Sequence, residues 1–352
     1  MPGFREIKLS PGMNKYSLAP SDFHRQLLKK TSQKLRFDAK NKKAWQKKLK
    51  RKFEELIGYT APTKGPMKVR TLWKRKTKLG PIEKIVYTSE PHADVPAYLC
   101  LPANIASPYK LMICLQGHIT GGMRNSIMAS PDNENSYYKP PGDRNYAIKA
   151  MQNGFAALCI EQRSFGERGE FRQKVRNPHP CFDAVMQGLM LGRTLTAQRI
   201  FDVDRGIDYL KSRGDIAMNS IGVMGNSGGG TTSVYSAALL PRIAYAMPSC
   251  GFCTYADSFM CIHHCAENYI PGILQYAEMA DIMGLFAPKP LVIVTGNTDP
   301  IFPLAGVKKA FRQLKKIYRA FGAGQNCQLV IGKGGHRFYA KPGWKKLLET
   351  ID

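Results

Sequence analysis

The chain has 352 residues and a formal net charge of +26, with 52 Lys and Arg set against 26 Asp and Glu. Hydrophobic residues make up 43%, including 16 Tyr and 16 Phe, which excludes a disordered chain and allows a large core. No apolar run approaches the length of a membrane span, and the N-terminal residues Met1 to Lys8 hold no stretch of signal-peptide type.

The charge is uneven: residues 1–80 hold 23 Lys and Arg against 5 Asp and Glu. Between Lys40 and Ile57 the residues Trp45, Leu49, Phe53, Leu56 and Ile57 recur at helical spacing among Lys42, Lys43, Lys47, Lys48, Lys50 and Arg51. That pattern predicts a helix with one apolar and one basic face. It places a basic, largely helical extension over residues 1–65 ahead of a catalytic domain over residues 66–352. A field of this sign attracts polyanions such as nucleic acid, acidic polysaccharide or an anionic membrane. No nucleic-acid-binding motif accompanies it, so a solvated helix covering the domain is the simpler reading. The apolar stripe also raises the expectation of a homo-oligomer.

After a Pro- and Gly-punctuated stretch over residues 59–66, strands are expected at residues 67–73, 83–89 and 97–102, an antiparallel opening. A strand at residues 111–115, a helix at 145–152, a strand at 154–160 and a long helix at 188–213 follow. This alternation predicts an α/β fold: a mostly parallel central sheet with helices on both faces. The loop after residues 111–115 carries Gly117 and His118; the loop after residues 154–160 carries Arg163 and Glu167. Ligands bind beyond the carboxyl ends of such strands. Gly117 and Arg163 are the candidate substrate contacts, although an ion pair between Arg163 and Glu167 that ties the loop together is the favoured reading of that arginine.

The most informative stretch is Gly225-Asn226-Ser227-Gly228-Gly229, preceded by the apolar residues 220–224 and followed by a helix-length run stopped by Pro241. Strand, tight turn and helix around Gly-x-Ser-x-Gly is the setting of a nucleophile elbow. A serine hydroxyl needs a histidine to take its proton and a carboxylate to orient that histidine. Asp299 follows the apolar strand expected at residues 290–296, and His336 lies in a Gly-rich loop after the one expected at 327–331. The order serine, acid, histidine makes Ser227, Asp299 and His336 the expected triad. Asp257 and Asp281 compete as acids but fall in less regular segments. Two backbone N–H groups, those of Gly228 and His118, are expected to form the oxyanion hole. No acidic or histidine companion stands at ligand spacing from His118, so metal ligation is not expected of it.

The nine cysteines show no regular pairing, which fits a reducing cytosol and no disulfide scaffold. Cys250, Cys253, Cys261 and Cys265, with His263 and His264, offer zinc-ligand chemistry. Phe252, Tyr255, Phe259 and Met260 interleave them as core residues do, so no metal and no other cofactor is expected.

Residues 191–194, Asp202, 208–210 and 225–230 together resemble the α/β-hydrolases related to bacterial acetyl xylan esterases and the wider dienelactone-hydrolase-like group. Residues 264–272, 287–291, 299–303 and 334–338 fit the same group. The resemblance spans most of residues 80–345 and implies an α/β-hydrolase fold with Ser227, Asp299 and His336 as its triad. It further implies a serine esterase acting on short acyl groups, with acetylated carbohydrate as substrate class. A lactone or dienelactone hydrolase, a peptidase on the same fold, or a polyanion-binding protein with a vestigial hydrolase domain stay open.

Overall fold

The computed structural model describes residues 10, 12–59, 64–170 and 181–351. Residues 60–63 of the expected linker and the N-terminal residues read for a signal peptide lie outside the described residues.

Nine strands form one sheet: β1 (Arg70–Thr77), β2 (Gly80–Glu90), β3 (Ala93–Cys100), β4 (Tyr109–Leu115), β5 (Ala156–Ile160), β6 (Ile216–Asn226), β7 (Tyr245–Ser249), β8 (Leu291–Gly296) and β9 (Cys327–Gly332). Their order is β1-β2-β3-β5-β4-β6-β7-β8-β9. The first three strands pair antiparallel, β3 runs antiparallel to β5, and every pairing beyond is parallel. The inner parallel strands β4, β5, β7 and β8 are buried on both faces along nearly their whole length, and their side chains alternate between two cores. Leu111, Ile113 and Leu115 of β4 join one hydrophobic cluster while Met112 and Cys114 join the other.

The helices are α1 (Pro20–Lys30), α2 (Lys42–Ile57), α3 (Tyr146–Gln152), α4 (Phe182–Met190), α5 (Leu195–Arg213), α6 (Gly228–Leu239), α7 (Met279–Gly284), α8 (Leu304–Ala320) and α9 (Ala340–Ile351). Residues of α5, α6, α7 and α8 fill one core; residues of α3 and α9 fill the other. The single helix expected over residues 188–213 is two. Gly192 turns left-handed at φ 69°, and the Thr194 hydroxyl then caps α5 by accepting from the Ala197 N–H at 3.1 Å.

Helix α2 of the basic extension is built into this core, whereas α1 buries no residue. Trp45, Leu49, Phe53 and Ile57 of α2 are buried in the same cluster as α5, α6 and α7. The Trp45 indole N–H donates to the Leu35 carbonyl at 2.9 Å, and Thr194 binds the last carbonyl of α2 through its N–H and hydroxyl at 3.0 and 2.8 Å. Each fully buried large side chain contributes about 2 kcal/mol, so the helix is held firmly. The stripe that raised the expectation of self-association is therefore spent inside the chain. Lys43, Lys47, Lys48 and Arg51 remain on the exposed face.

Candidate active site

β6 runs directly into α6, and Ser227 stands at the junction with φ 60° and ψ −125°. A β-carbon-bearing residue enters that region only when its surroundings force it to. The forcing comes from close packing. A β-carbon added at Gly229 would stand 2.0 Å from the Leu115 carbonyl oxygen, so strand and helix meet closer than any side chain permits. The Ser227 N–H donates to the Ser249 carbonyl on β7 at 3.0 Å and fixes the turn from the other side. β7 itself was not foreseen from the sequence.

Gly117, at the end of β4, lies against this turn. A β-carbon there would meet the Ser227 Cβ at 2.8 Å and the Asn226 carbonyl oxygen at 2.6 Å. The loop can pass the serine only with glycine at that position.

Asp299 and His336 are brought together from the loops after β8 and β9. The imidazole Nδ1 lies 2.9 and 3.1 Å from the two carboxylate oxygens. Asp299 is 3% exposed and also accepts from the Ile301 and Phe302 N–H groups at 2.8 and 3.1 Å. Burial works to raise its pKa, but the His336 hydrogen bond and charge, the Cys250 thiol and the Ile301 N–H outweigh it and hold the carboxyl below its usual range. The other ring nitrogen, Nε2 of His336, is buried and has no hydrogen-bond partner among the described residues. Cys250 connects the two halves of the site. It follows Ser249, and its sulfur lies within 4.8 Å of the ligand atoms of Asp299 and His336.

The competing acids sit elsewhere. Asp281 closes a capping box at the start of α7 and binds the Phe37 N–H. Asp257 bonds Thr254 and faces Lys309 at 3.6 Å.

Arg163 does not tie to Glu167, the reading the sequence favoured. Its guanidinium donates to Asp202 at 3.0 and 2.9 Å, to Gln198 at 2.7 Å and to Glu90 at 2.7 Å. Glu167 instead meets Lys84 at 2.8 Å and Arg124 at 3.0 Å. The cause is Asp202 on α5, 1% exposed, a carboxylate that must be matched where water cannot reach it. Burial would raise its pKa; the charges and hydrogen bonds of Arg168 and Arg163 prevail and bring it to about 2. Each of the three Arg163 guanidinium nitrogens is thus engaged between β2 and α5.

His118 has companions that spacing along the chain did not reveal. Its Nε2 lies 3.2 Å from the Cys181 sulfur at the start of α4 and 3.3 Å from Glu267 Oε1. Its ring meets Phe165 edge-on at 4.4 Å. Donor atoms of His118, Cys181 and Glu267 all fall within 4.8 Å of one another, as metal ligands do. However, the Arg199 guanidinium lies 3.5 Å from that sulfur and 3.7 Å from that oxygen, which is the wrong neighbour for a metal cation. Cys253, Cys261 and Cys265 serve other ends: Cys253 is buried beside the Pro303 carbonyl, Cys261 is exposed, and Cys265 is half-buried.

A model of the Abhydrolase family matches residues 16–319. The chain belongs to that family. The matched span includes α1 and α2, so the basic helices lie inside the family's reach, whereas His336 lies beyond it. This family member is 25% identical over 281 residues to YtaP of Bacillus subtilis (strain 168), a protein named as a hydrolase, covering 78% of this chain and 89% of that one. In structure it is similar to a protein of Bacteroides fragilis NCTC 9343 named as an acetyl xylan esterase, with TM-score 0.74 at 18% identity over 95% of this chain and 86% of that one. A glucuronoyl esterase from Solibacter usitatus aligns with TM-score 0.61 at 15% identity, over 88% and 92% of the two chains. Acetyl xylan esterase 1 of Thermoanaerobacterium sp. JW/SL YS485 aligns with TM-score 0.55 at 15% identity, over 93% and 98%. These likenesses carry the α/β-hydrolase fold. Among the described residues no helix is long and apolar enough to cross a membrane.

Proposed function

We propose that this Abhydrolase family member is a serine esterase that removes short acyl groups, acetyl foremost, from carbohydrate esters. The observation that carries the reading is the strained Ser227 at the β6–α6 junction, with the Asp299–His336 pair and its unpartnered Nε2 on the neighbouring loops. Strain at a serine is costly and is retained where exposure of the hydroxyl matters.

Ser227 Oγ attacks the ester carbonyl while His336 Nε2 takes its proton. Asp299 holds the ring by Nδ1 and stabilises the imidazolium that forms. The N–H groups of Gly228 and His118 bind the tetrahedral oxyanion. His336 returns the proton to the departing alcohol, leaving an acyl-enzyme. It then deprotonates a water molecule that attacks the acyl carbon, and the carboxylic acid leaves with Ser227 restored. The carbohydrate class rests on the printed names of the acetyl xylan and glucuronoyl esterases of the same fold.

Hydrolysis of p-nitrophenyl esters from acetate to octanoate tests this, with Ser227→Ala beside the native chain. Activity peaking at acetate and lost in the variant supports the esterase. Equal inactivity of both chains on every ester, or equal activity of both, overturns it.

A further inference from the structure

Glu267 is hard to explain as a structural residue. It is 4% exposed, and neither carboxylate oxygen has a hydrogen-bond partner among the described residues. Buried carboxylates are costly unless matched, and among the described residues the ion-pair partners of this one are His118 at 3.3 Å and Arg199 at 3.7 Å. Its position is stranger still. A β-carbon built on Gly228 would lie 3.2 Å from Glu267 Oε1 and 3.6 Å from His118 Nδ1. Both groups therefore stand beside the residue whose N–H is the proposed oxyanion donor.

An isolated negative charge there would oppose the oxyanion, so the site works only if positive charge outweighs it. Arg199 is held in place by the Arg163 carbonyl at 2.7 Å, stacks on the Phe165 ring at 4.2 Å and offsets the Glu267 charge. An imidazolium at His118 then leaves the cluster net positive. Among the described residues, the groups that face the pair include the Cys181 sulfur from the start of α4, the Cys265 sulfur near Glu267 and the ring of His264, which in turn faces His263 and His336. Burial pushes the Cys181 and Cys265 thiols up to about 12, so neither adds negative charge near neutrality.

We infer that His118 and Glu267 form a second carboxylate–imidazole pair on the oxyanion side of Ser227, with Glu267 as the positioning residue that keeps His118 charged against the oxyanion. Ser227 is thus flanked by two such pairs with opposite duties. Asp299–His336 moves the proton; Glu267–His118 supplies fixed positive charge. The inference rests on the esterase reading and assigns to it a group that the elbow and the Asp299–His336 pair do not use.

The test is the pH profile of kcat/KM for p-nitrophenyl acetate in the native chain, Glu267→Gln and His118→Gln. The native profile is expected to have an acid and an alkaline limb, and the alkaline limb is the one the inference assigns to the His118 charge. Glu267→Gln moves the alkaline limb to lower pH by about one unit, because one pKa unit is the usual scale of a neighbouring charge. His118→Gln removes the alkaline limb and lowers kcat by about 100-fold at little change in KM, as loss of one oxyanion stabiliser does. An alkaline limb at the same pH in all three chains overturns the inference while leaving the esterase reading intact. Failure of the esterase reading itself shows separately, as native activity that survives Ser227→Ala. Should one variant lose its fold in a thermal melt, the other carries the test; loss of fold in both assigns the pair a structural role and overturns the inference.

Discussion

Replacing Glu161 by Gln should change how stability depends on pH, and by an amount the structure sets. Glu161 directly follows β5 and is fully buried, accepting from the Met123 N–H at 3.1 and 3.2 Å and from the Glu167 N–H at 3.2 Å. Burial pushes its carboxyl up to about 7 despite those donors. An unfolded chain ionises this group near its ordinary value, about 4.3. The folded chain therefore holds the proton longer, and the stability present at low pH is lost as pH rises from that value to about 7. His264, stacked on Phe259 at 4.3 Å, has the opposite sign. Burial pushes it down to about 4, so its contribution is full above the ordinary imidazole value and is lost on acidification toward about 4. Each displacement corresponds to about 3 kcal/mol across its window. The two slopes oppose one another between about pH 4.5 and 6.5. Glu161→Gln removes the first and unmasks the second. Urea unfolding from pH 4.5 to 7.5 should show the variant gaining about 3 kcal/mol relative to the native chain as pH rises. Parallel curves for the two chains would refute the assignment of the raised carboxyl to Glu161.

Arg163→Ala leaves Asp202 and Glu90 short of a cation, though Arg168 and Arg193 still reach them at 2.6 and 3.1 Å. We expect a loss of about 3 kcal/mol in urea unfolding, at the lower end for a broken buried pair, with KM for p-nitrophenyl acetate unchanged. A raised KM without lost stability would return Arg163 to the substrate. Gly229→Ala forces a β-carbon to within 2.0 Å of the Leu115 carbonyl oxygen, and should cost about 3 kcal/mol and displace the Ser227 turn. Full activity in a stable variant would contradict that packing. Asp299→Asn should lower kcat by about 10⁴-fold on short esters with little effect on KM, because the ring is then held in the wrong tautomer. A loss below tenfold would point to a different acid.

Most of the sheet and the serine turn after β6 were legible in the sequence because local pattern carries them. Strands buried on both faces read as short apolar runs, and the serine turn betrays itself by the glycines its packing requires. Long-range partners were not legible. Spacing along the chain cannot place Glu267 and Cys181 beside His118, since residues 149 and 63 positions away meet only once the loops close over the sheet. Arg163 misled for the same reason: a basic residue in a loop at the carboxyl edge of the sheet looks like a substrate contact until the carboxylate of Asp202 is seen opposite it. The helix over residues 188–213 broke because Gly192 and Thr194, two positions apart, are stop and start signals that the apolar periodicity runs across. Basic residues on α2 read as a separate extension, yet its apolar face completes the core of the sheet.

The measurement closest to the central claim is covalent labelling of the native chain with a fluorophosphonate ester, followed by mapping of the adduct by mass spectrometry. A single phosphonyl adduct is expected on the peptide containing Ser227, lost in Ser227→Ala and slowed strongly in Asp299→Asn. An unlabelled chain that still hydrolyses esters, or an adduct on another serine, would contradict it.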